Sequence, residues 1–208
     1  MTIRLGLLGG TFDPPHYGHL LAAQEVAWQL DLERVLFLPA RQNPLKPHGG
    51  ASDARHRCEM VSLAVADNPR FEVSRLDLDR PPPSYTVDLL RVLHARAPSH
   101  ELYFVVGGDI LPELRLWHAP REILSLAHLV VVNRPGAPHP SVAPLEREFP
   151  EATRRVDLVH IPGVDISSTD LRRRANVGQP LRYLTPVSVE DYISRHGLYR
   201  ETSPGRAL

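Results

Sequence analysis

The sequence predicts an α/β fold: a doubly wound, mainly parallel β-sheet with helices on both faces. Three observations lead there. Short apolar runs recur along the chain, separated by amphipathic stretches of helical period. That strand–helix–strand alternation is the pattern of a parallel sheet. The segments richest in glycine, histidine and hydroxyl residues each follow directly on a predicted strand, where such sheets bind ligands.

Taken in order, residues 3–8 read as a buried strand, and Leu20, Ala23, Ala27 and Leu30 share one face of the helix that follows. Residues 35–38 form a second strand, and Cys58, Val61 and Val65 mark a second helix. Residues 71–74 are a weaker strand candidate. Val87, Leu90 and Leu93 predict a third helix, with Ser84 as its cap. Strands follow at 102–106, 129–132 and 158–161. Near the end, Thr185-Pro186 before Val189, Tyr192 and Ile193 reads as a capped helix with proline at its first position. The 21 prolines cluster at Pro44 and Pro47, at 81–83 and at 135–144, and the last stretch is expected to be mobile or poorly ordered. There is no internal repeat and no domain boundary. Residues 1–200 are expected to form one domain and 201–208 a frayed tail.

Composition narrows the partners. At 208 residues the chain can bury a sizeable core. The 24 basic side chains balance 24 acidic ones, without the basic excess of a protein that grips long nucleic acid. Anion recognition should therefore be local and the ligand small. One cysteine, Cys58, excludes an internal disulfide and a multi-cysteine metal cage, and its apolar spacing makes it a core residue. The first apolar run breaks at glycines and prolines too soon for a signal peptide. No apolar run approaches the roughly 18 residues of a membrane span. A cytoplasmic protein without membrane or nucleic-acid partners is expected, and its oligomeric state is left open.

The most informative stretch is Gly9-Gly10-Thr11-Phe12-Asp13-Pro14-Pro15-His16-Tyr17-Gly18-His19. It lies between a strand and a helix, where backbone N–H groups and the helix dipole favour an anion. Gly9 and Gly10 are expected to let the backbone turn tightly beside a ligand. His16 and His19 can share the first helical turn, with Gly18 leaving their common spot uncrowded. Two imidazoles can donate to phosphate oxygens, more strongly if protonated. The plainer reading is a pair of surface histidines. A zinc site would need a third ligand, which no HExxH pattern supplies. Neither a GxGxxG nor a Walker A loop is present.

Residues 163–172, GVDISSTDLR, form a second candidate. Thr169, or one of the serines before it, would cap a helix starting at Asp170, and Arg172 one turn in could reach the same anion. A well-capped, arginine-rich surface helix is the alternative.

GGTFDPPHYGH resembles the HxGH signature of the adenylyltransferase/cytidylyltransferase superfamily, and ISSTDLR its ISSTxIR element, with Leu171 in place of isoleucine. The resemblance implies a Rossmann-like fold, with His16, His19 and Arg172 catalytic. It implies ATP contacts from Gly9, Gly10, Thr11 and Phe12, and from Ile166, Ser167, Ser168 and Thr169. Further stretches are similar to bacterial nicotinate-nucleotide adenylyltransferases, and together the likeness runs from Ile3 to about Tyr199. In LPARQNPLK, Lys46 would meet the acceptor phosphate. Ser84-Tyr85-Thr86 would contact the nicotinate carboxylate, partly through backbone N–H groups. Gly107-Gly108-Asp109 would hold a ribose, Trp117 would stack on the pyridine ring, and Arg134 would face phosphates.

The implied reaction is adenylyl transfer from ATP to nicotinate mononucleotide, giving deamido-NAD and pyrophosphate in NAD biosynthesis. Mg²⁺ would be bound mainly through the ATP phosphates, with no protein metal ligands. Three alternatives stand beside it: another enzyme of the superfamily such as a pantetheine-phosphate adenylyltransferase, an enzyme preferring nicotinamide mononucleotide, or a catalytically silent nucleotide-binding module. A metal-binding module built on the 11 histidines is disfavoured by their scatter.

Overall fold

The described residues include six strands, β1 (Arg4–Gly10), β2 (Arg34–Pro39), β3 (Phe71–Val73), β4 (Glu101–Gly107), β5 (His128–Val132) and β6 (Val156–Val159). In this computed structural model, which describes residues 2–42, 52–133 and 141–200, they form one sheet in the order β3-β2-β1-β4-β5-β6. Every pairing is parallel. β1 lies between β2 and β4, so the connections leaving β1 and β4 diverge and open a crevice above their carboxyl ends. That is the switch point where doubly wound sheets bind ligands.

Among the described residues, seven helices cover the sheet: α1 (Tyr17–Gln29), α2 (Ala54–Val65), α3 (Thr86–Arg96), α4 (Pro120–Leu126), α5 (Ala143–Glu148), α6 (Ser168–Asn176) and α7 (Val187–Arg195). The inner strands β1, β2, β4 and β5 are largely buried on both faces, as a covered parallel sheet requires. Alternate residues feed two cores. Tyr103 and Val105 of β4 and Val130 and Val132 of β5 meet α1, α2, α6 and α7. Leu102, Phe104 and Val106 with Leu129 and Val131 meet α3, α4 and α5. Each fully buried apolar side chain contributes on the order of 1.5–3 kcal/mol relative to exposure. Cys58 is a buried free thiol within α2. Among the described residues, no helix is long and apolar enough to cross a membrane.

Several expectations need correction. The last strand starts two residues early, at Val156, and ends at Val159. Ile161 stays buried because Asn133 continues the pairing with its side chain: Ile161 N–H donates to Asn133 Oδ1 (2.6 Å) and Asn133 Nδ2 to Ile161 O (3.1 Å). Ser84 does not cap α3, whose N-cap is Tyr85 with no side-chain bond. Thr185 does not cap α7, which begins after Pro186. Its hydroxyl is drawn into a tertiary contact described below. Of the proline-rich 135–144 stretch, residues 141–144 are described and Ala143-Pro144 open α5, because proline suits a first helical turn. Residues 135–140 and 201–208 lie outside the described residues. α4, α5 and the 3₁₀ segments Gly108–Leu116 and Pro150–Arg155 were not expected. None is long enough, or regular enough, to show a clear apolar period.

Candidate active site

Strand β1 carries the chain to the crevice edge, but Gly9 and Gly10 are its last residues and not the turn itself. The turn falls at Phe12, whose φ of 50° places a bulky residue in the left-handed region. Packing holds it there. The Phe12 ring is buried in the core against Phe37 (5.8 Å between centroids) and meets His19 edge-on at 5.0 Å. Gly10 matters for a different reason than expected: a Cβ there would stand 3.0 Å from the Phe12 ring. Phe12 therefore offers a ligand only its backbone.

His16 is the N-cap of α1 and His19 its third residue, so both rings occupy one turn, 3.7 Å apart between centroids. The His16 backbone N–H donates to His19 Nδ1 (3.2 Å). A neutral His19 must then carry its proton on Nε2. His16 is 7% exposed, and its Nδ1, turned toward Gly18, completes no hydrogen bond. A Cβ on Gly18 would stand 3.0 Å from that nitrogen, so the glycine is what admits the ring. Burial lowers the His16 pKa from 6.5 to about 4. His16 is thus neutral at neutral pH in the ligand-free protein, without the stronger donation that a protonated imidazole would give.

The carboxyl-terminal element docks directly on this loop. Three consecutive carbonyls each accept one bond from it: Arg172 Nη1 donates to Asp13 O, Ser168 Oγ to Pro14 O, and the buried Thr185 Oγ1 to Pro15 O, all at 2.8 Å. Tyr17 N–H donates to Leu184 O (3.1 Å). Ser167 caps α6 by accepting from Asp170 N–H (3.2 Å), so the helix starts two residues before Asp170. Ser168 spends its hydroxyl proton on the loop and has none left for a phosphate. Arg172 Nη2 donates to Thr169 Oγ1 (3.3 Å). Asp170 pairs with Arg173 (2.7 Å) and Arg174 (2.6 Å), leaving Arg172 as the arginine of the three that reaches the loop. Ile166 packs on the first core.

Beneath the loop lies a polar cluster that sequence reasoning missed. Asp13 and Arg57 are each 2% exposed. The Asp13 carboxylate accepts from Tyr199 O–H (2.7 Å) and Ser52 N–H (3.1 Å). Arg57 donates to Thr11 O (2.8 Å), Ser52 O (3.0 Å) and Arg41 O (3.4 Å). Burial lowers the Arg57 pKa, and burial with the Asp13 charge pushes the Tyr199 phenol up. A signal for Arg57 existed: it lies three and four residues before Met60 and Val61, on the apolar stripe of α2.

Across the crevice, register sets Leu8 beside Val105, so Gly9 and Gly10 end next to the end of β4 at Gly107. Asp109 is exposed at the start of the 3₁₀ segment. Trp117 ends that segment, its ring edge-on to Phe104 at 6.1 Å and its buried Nε1 without a hydrogen bond. Tyr85 packs on His118, 4.6 Å between centroids, while Thr86 opens α3. Ser84 exchanges bonds with Gln42: Gln42 N–H donates to its hydroxyl (3.2 Å) and Ser84 N–H to Gln42 O (3.3 Å). Lys46 and Arg134 lie outside the described residues. Among the described residues, no group of three or more histidine, cysteine or carboxylate side chains could hold a metal ion.

Comparison with known proteins agrees with this layout. A family model described as cytidylyltransferase-like matches residues 7–174. A protein of Roseiflexus castenholzii described as a probable nicotinate-nucleotide adenylyltransferase is 49% identical over 197 residues, 95% of this chain and 98% of that one. A protein of Desulfitobacterium hafniense with the same description is 45% identical over 198 residues, covering 95% and 96%. Among solved structures, the Plasmodium falciparum nicotinic acid mononucleotide adenylyltransferase complexed with NaAD shares the fold at a TM-score of 0.75 and 18% identity, over 95% of this chain and 97% of that one.

Proposed function

This chain belongs to the cytidylyltransferase-like family, and from that premise we propose that it is an enzyme transferring the adenylyl group of ATP to nicotinate mononucleotide, with deamido-NAD and pyrophosphate as products. The substrates are the ones that the names of its relatives carry. The observation that carries the reading is the docking of α6 and Thr185 on the loop after β1 through three consecutive carbonyls, beside two histidines on one helical turn.

A phosphate oxygen of the mononucleotide attacks the α-phosphorus of ATP, and the bond from that phosphorus to the β-bridging oxygen breaks. The attacking monoester is already anionic, so no general base is needed. The work left to the protein is in-line positioning and neutralisation of charge on the phosphates. His19 is suited to donate from Nε2. His16, neutral when buried and empty, gains proton affinity as a polyanion approaches. Arg172 adds fixed positive charge, and the first turn of α6 offers backbone N–H groups. Trp117, Tyr85 and Thr86 are assigned to the pyridine end, and Asp109 to a ribose. Imidazole, hydroxyl and guanidinium groups suit phosphate oxygens and not a hard cation, so Mg²⁺ is expected to arrive on ATP, where it would offset phosphate charge. The compartment we assign is the cytoplasm.

The test is pyrophosphate release with ATP, Mg²⁺ and a panel of acceptors: nicotinate mononucleotide, nicotinamide mononucleotide and phosphopantetheine. Turnover should be fastest with the first and yield deamido-NAD. Faster turnover of another acceptor, or none with any, rejects the assignment.

A further inference from the structure

Arg57 is a guanidinium almost fully withdrawn from water whose three hydrogen bonds all go to main-chain carbonyls: Thr11 O, Arg41 O and Ser52 O. No carboxylate lies within ion-pair distance of it among the described contacts. Burying a charge this way is costly, and the guanidinium offsets that cost by satisfying three carbonyls that would otherwise lose their donor. What the guanidinium provides is geometry. Its planar fork ties the loop after β1 to the chain leaving β2 and to Ser52, the residue before the N-cap of α2. A short distance along the same loop, Asp13 is equally buried and is fixed by Tyr199 and by Ser52 N–H. Ser52 thus uses its carbonyl on Arg57 and its N–H on Asp13. The loop is gripped on both sides of the left-handed Phe12.

We propose that Arg57 and Asp13, with Tyr199 holding the Asp13 carboxylate, are positioning residues for adenylyl transfer: they lock the loop after β1 in the shape that sets His16 and His19 side by side. Neither touches the reacting atoms. The proposal rests on the functional reading above, but its principal readout does not require turnover.

The experiment uses the full chain carrying Tyr199→Phe, Arg57→Lys or Asp13→Asn. The first removes a single hydroxyl from a packed ring. The second keeps the charge but replaces a three-way fork with a point donor. In each folded variant the His16 ring is followed by NMR during a pH titration. In the wild-type protein it should stay neutral down to about pH 4. Once the loop loosens, His16 should titrate nearer its ordinary 6.5. The kcat for adenylyl transfer should fall, by about 10²-fold for Arg57→Lys if the histidines move by on the order of 1 Å. The KM for nicotinate mononucleotide should stay within about twofold, since misplacing the histidines costs transition-state stabilisation and not acceptor binding. Should Arg57→Lys fail to fold, Tyr199→Phe decides. Variants that lose melting temperature while the folded protein keeps wild-type His16 titration and kcat would overturn the proposal, because that is the behaviour of a purely structural network. An altered His16 titration in the variants, alongside a wild-type protein that transfers no adenylyl group, would keep the positioning role and reject the assigned reaction instead.

Discussion

The two sides of the crevice are built by different means. On one side, the loop after β1 is fixed by polar groups from four distant segments, with Asp13, Pro14 and Pro15 each engaged by a residue more than 150 positions away in the chain. On the other, the Tyr85 and His118 rings pack at a tilt and Trp117 meets Phe104 edge-on, close to β4 and the start of α3. Donors aimed at phosphate must be placed within tenths of an ångström to act on developing charge. An aromatic shelf tolerates more slack, since stacking and burial vary slowly with position. The contrast suggests that chemistry is invested in the first side and acceptor choice in the second.

His19→Ala should break the first side most severely. A lost oxyanion-type donor costs about 3 kcal/mol, or on the order of 10²-fold in kcat, with circular dichroism and melting temperature little changed. Undiminished turnover in a folded His19→Ala protein would remove His19 from the chemistry.

Acid should weaken the same side through His16. Above pH 6.5 the folded and unfolded chains are both neutral at this residue; between 6.5 and about 4 the unfolded chain binds a proton that the folded one refuses. Stability therefore falls as pH drops through that window, by up to about 3 kcal/mol. Denaturant titrations of His16→Gln should show a flatter acid limb, and an identical slope would assign the effect to another group.

Arg172→Ala should lower kcat/KM for ATP by about 2 kcal/mol, roughly 30-fold, as expected for bonds from a charged donor. Steady-state kinetics with ATP varied would reveal it. Trp117→Ala probes the second side. It should raise KM for nicotinate mononucleotide about tenfold and leave KM for ATP alone, the worth of one stacked ring. Equal effects on both substrates would erase the division of labour. Ser168→Ala is the mildest. It should cost about 1 kcal/mol in thermal or chemical unfolding, with a smaller change in rate.

Much of this was readable beforehand. The doubly wound sheet follows from apolar runs that stay apolar on both faces, and the paired histidines from their spacing on one helical turn. Local capping was misjudged at Ser84 and Thr185, because a hydroxyl before a helix has two uses and tertiary contacts decided both. Ser84 bonds Gln42, and Thr185 bonds Pro15. Ser168, expected to face phosphate, proves to be a strut between α6 and the loop.

The amino-acid sequence by itself determined the class of fold, the two segments proposed to face phosphate and the residue types they present, because period and spacing act over a few neighbouring positions. Only the tertiary structure decided that Asp13, Arg57, Thr185 and Tyr199 belong together. Their partners are set by how strands and helices stack, and a buried charge is recognisable as useful only once the carbonyls it satisfies are brought to it.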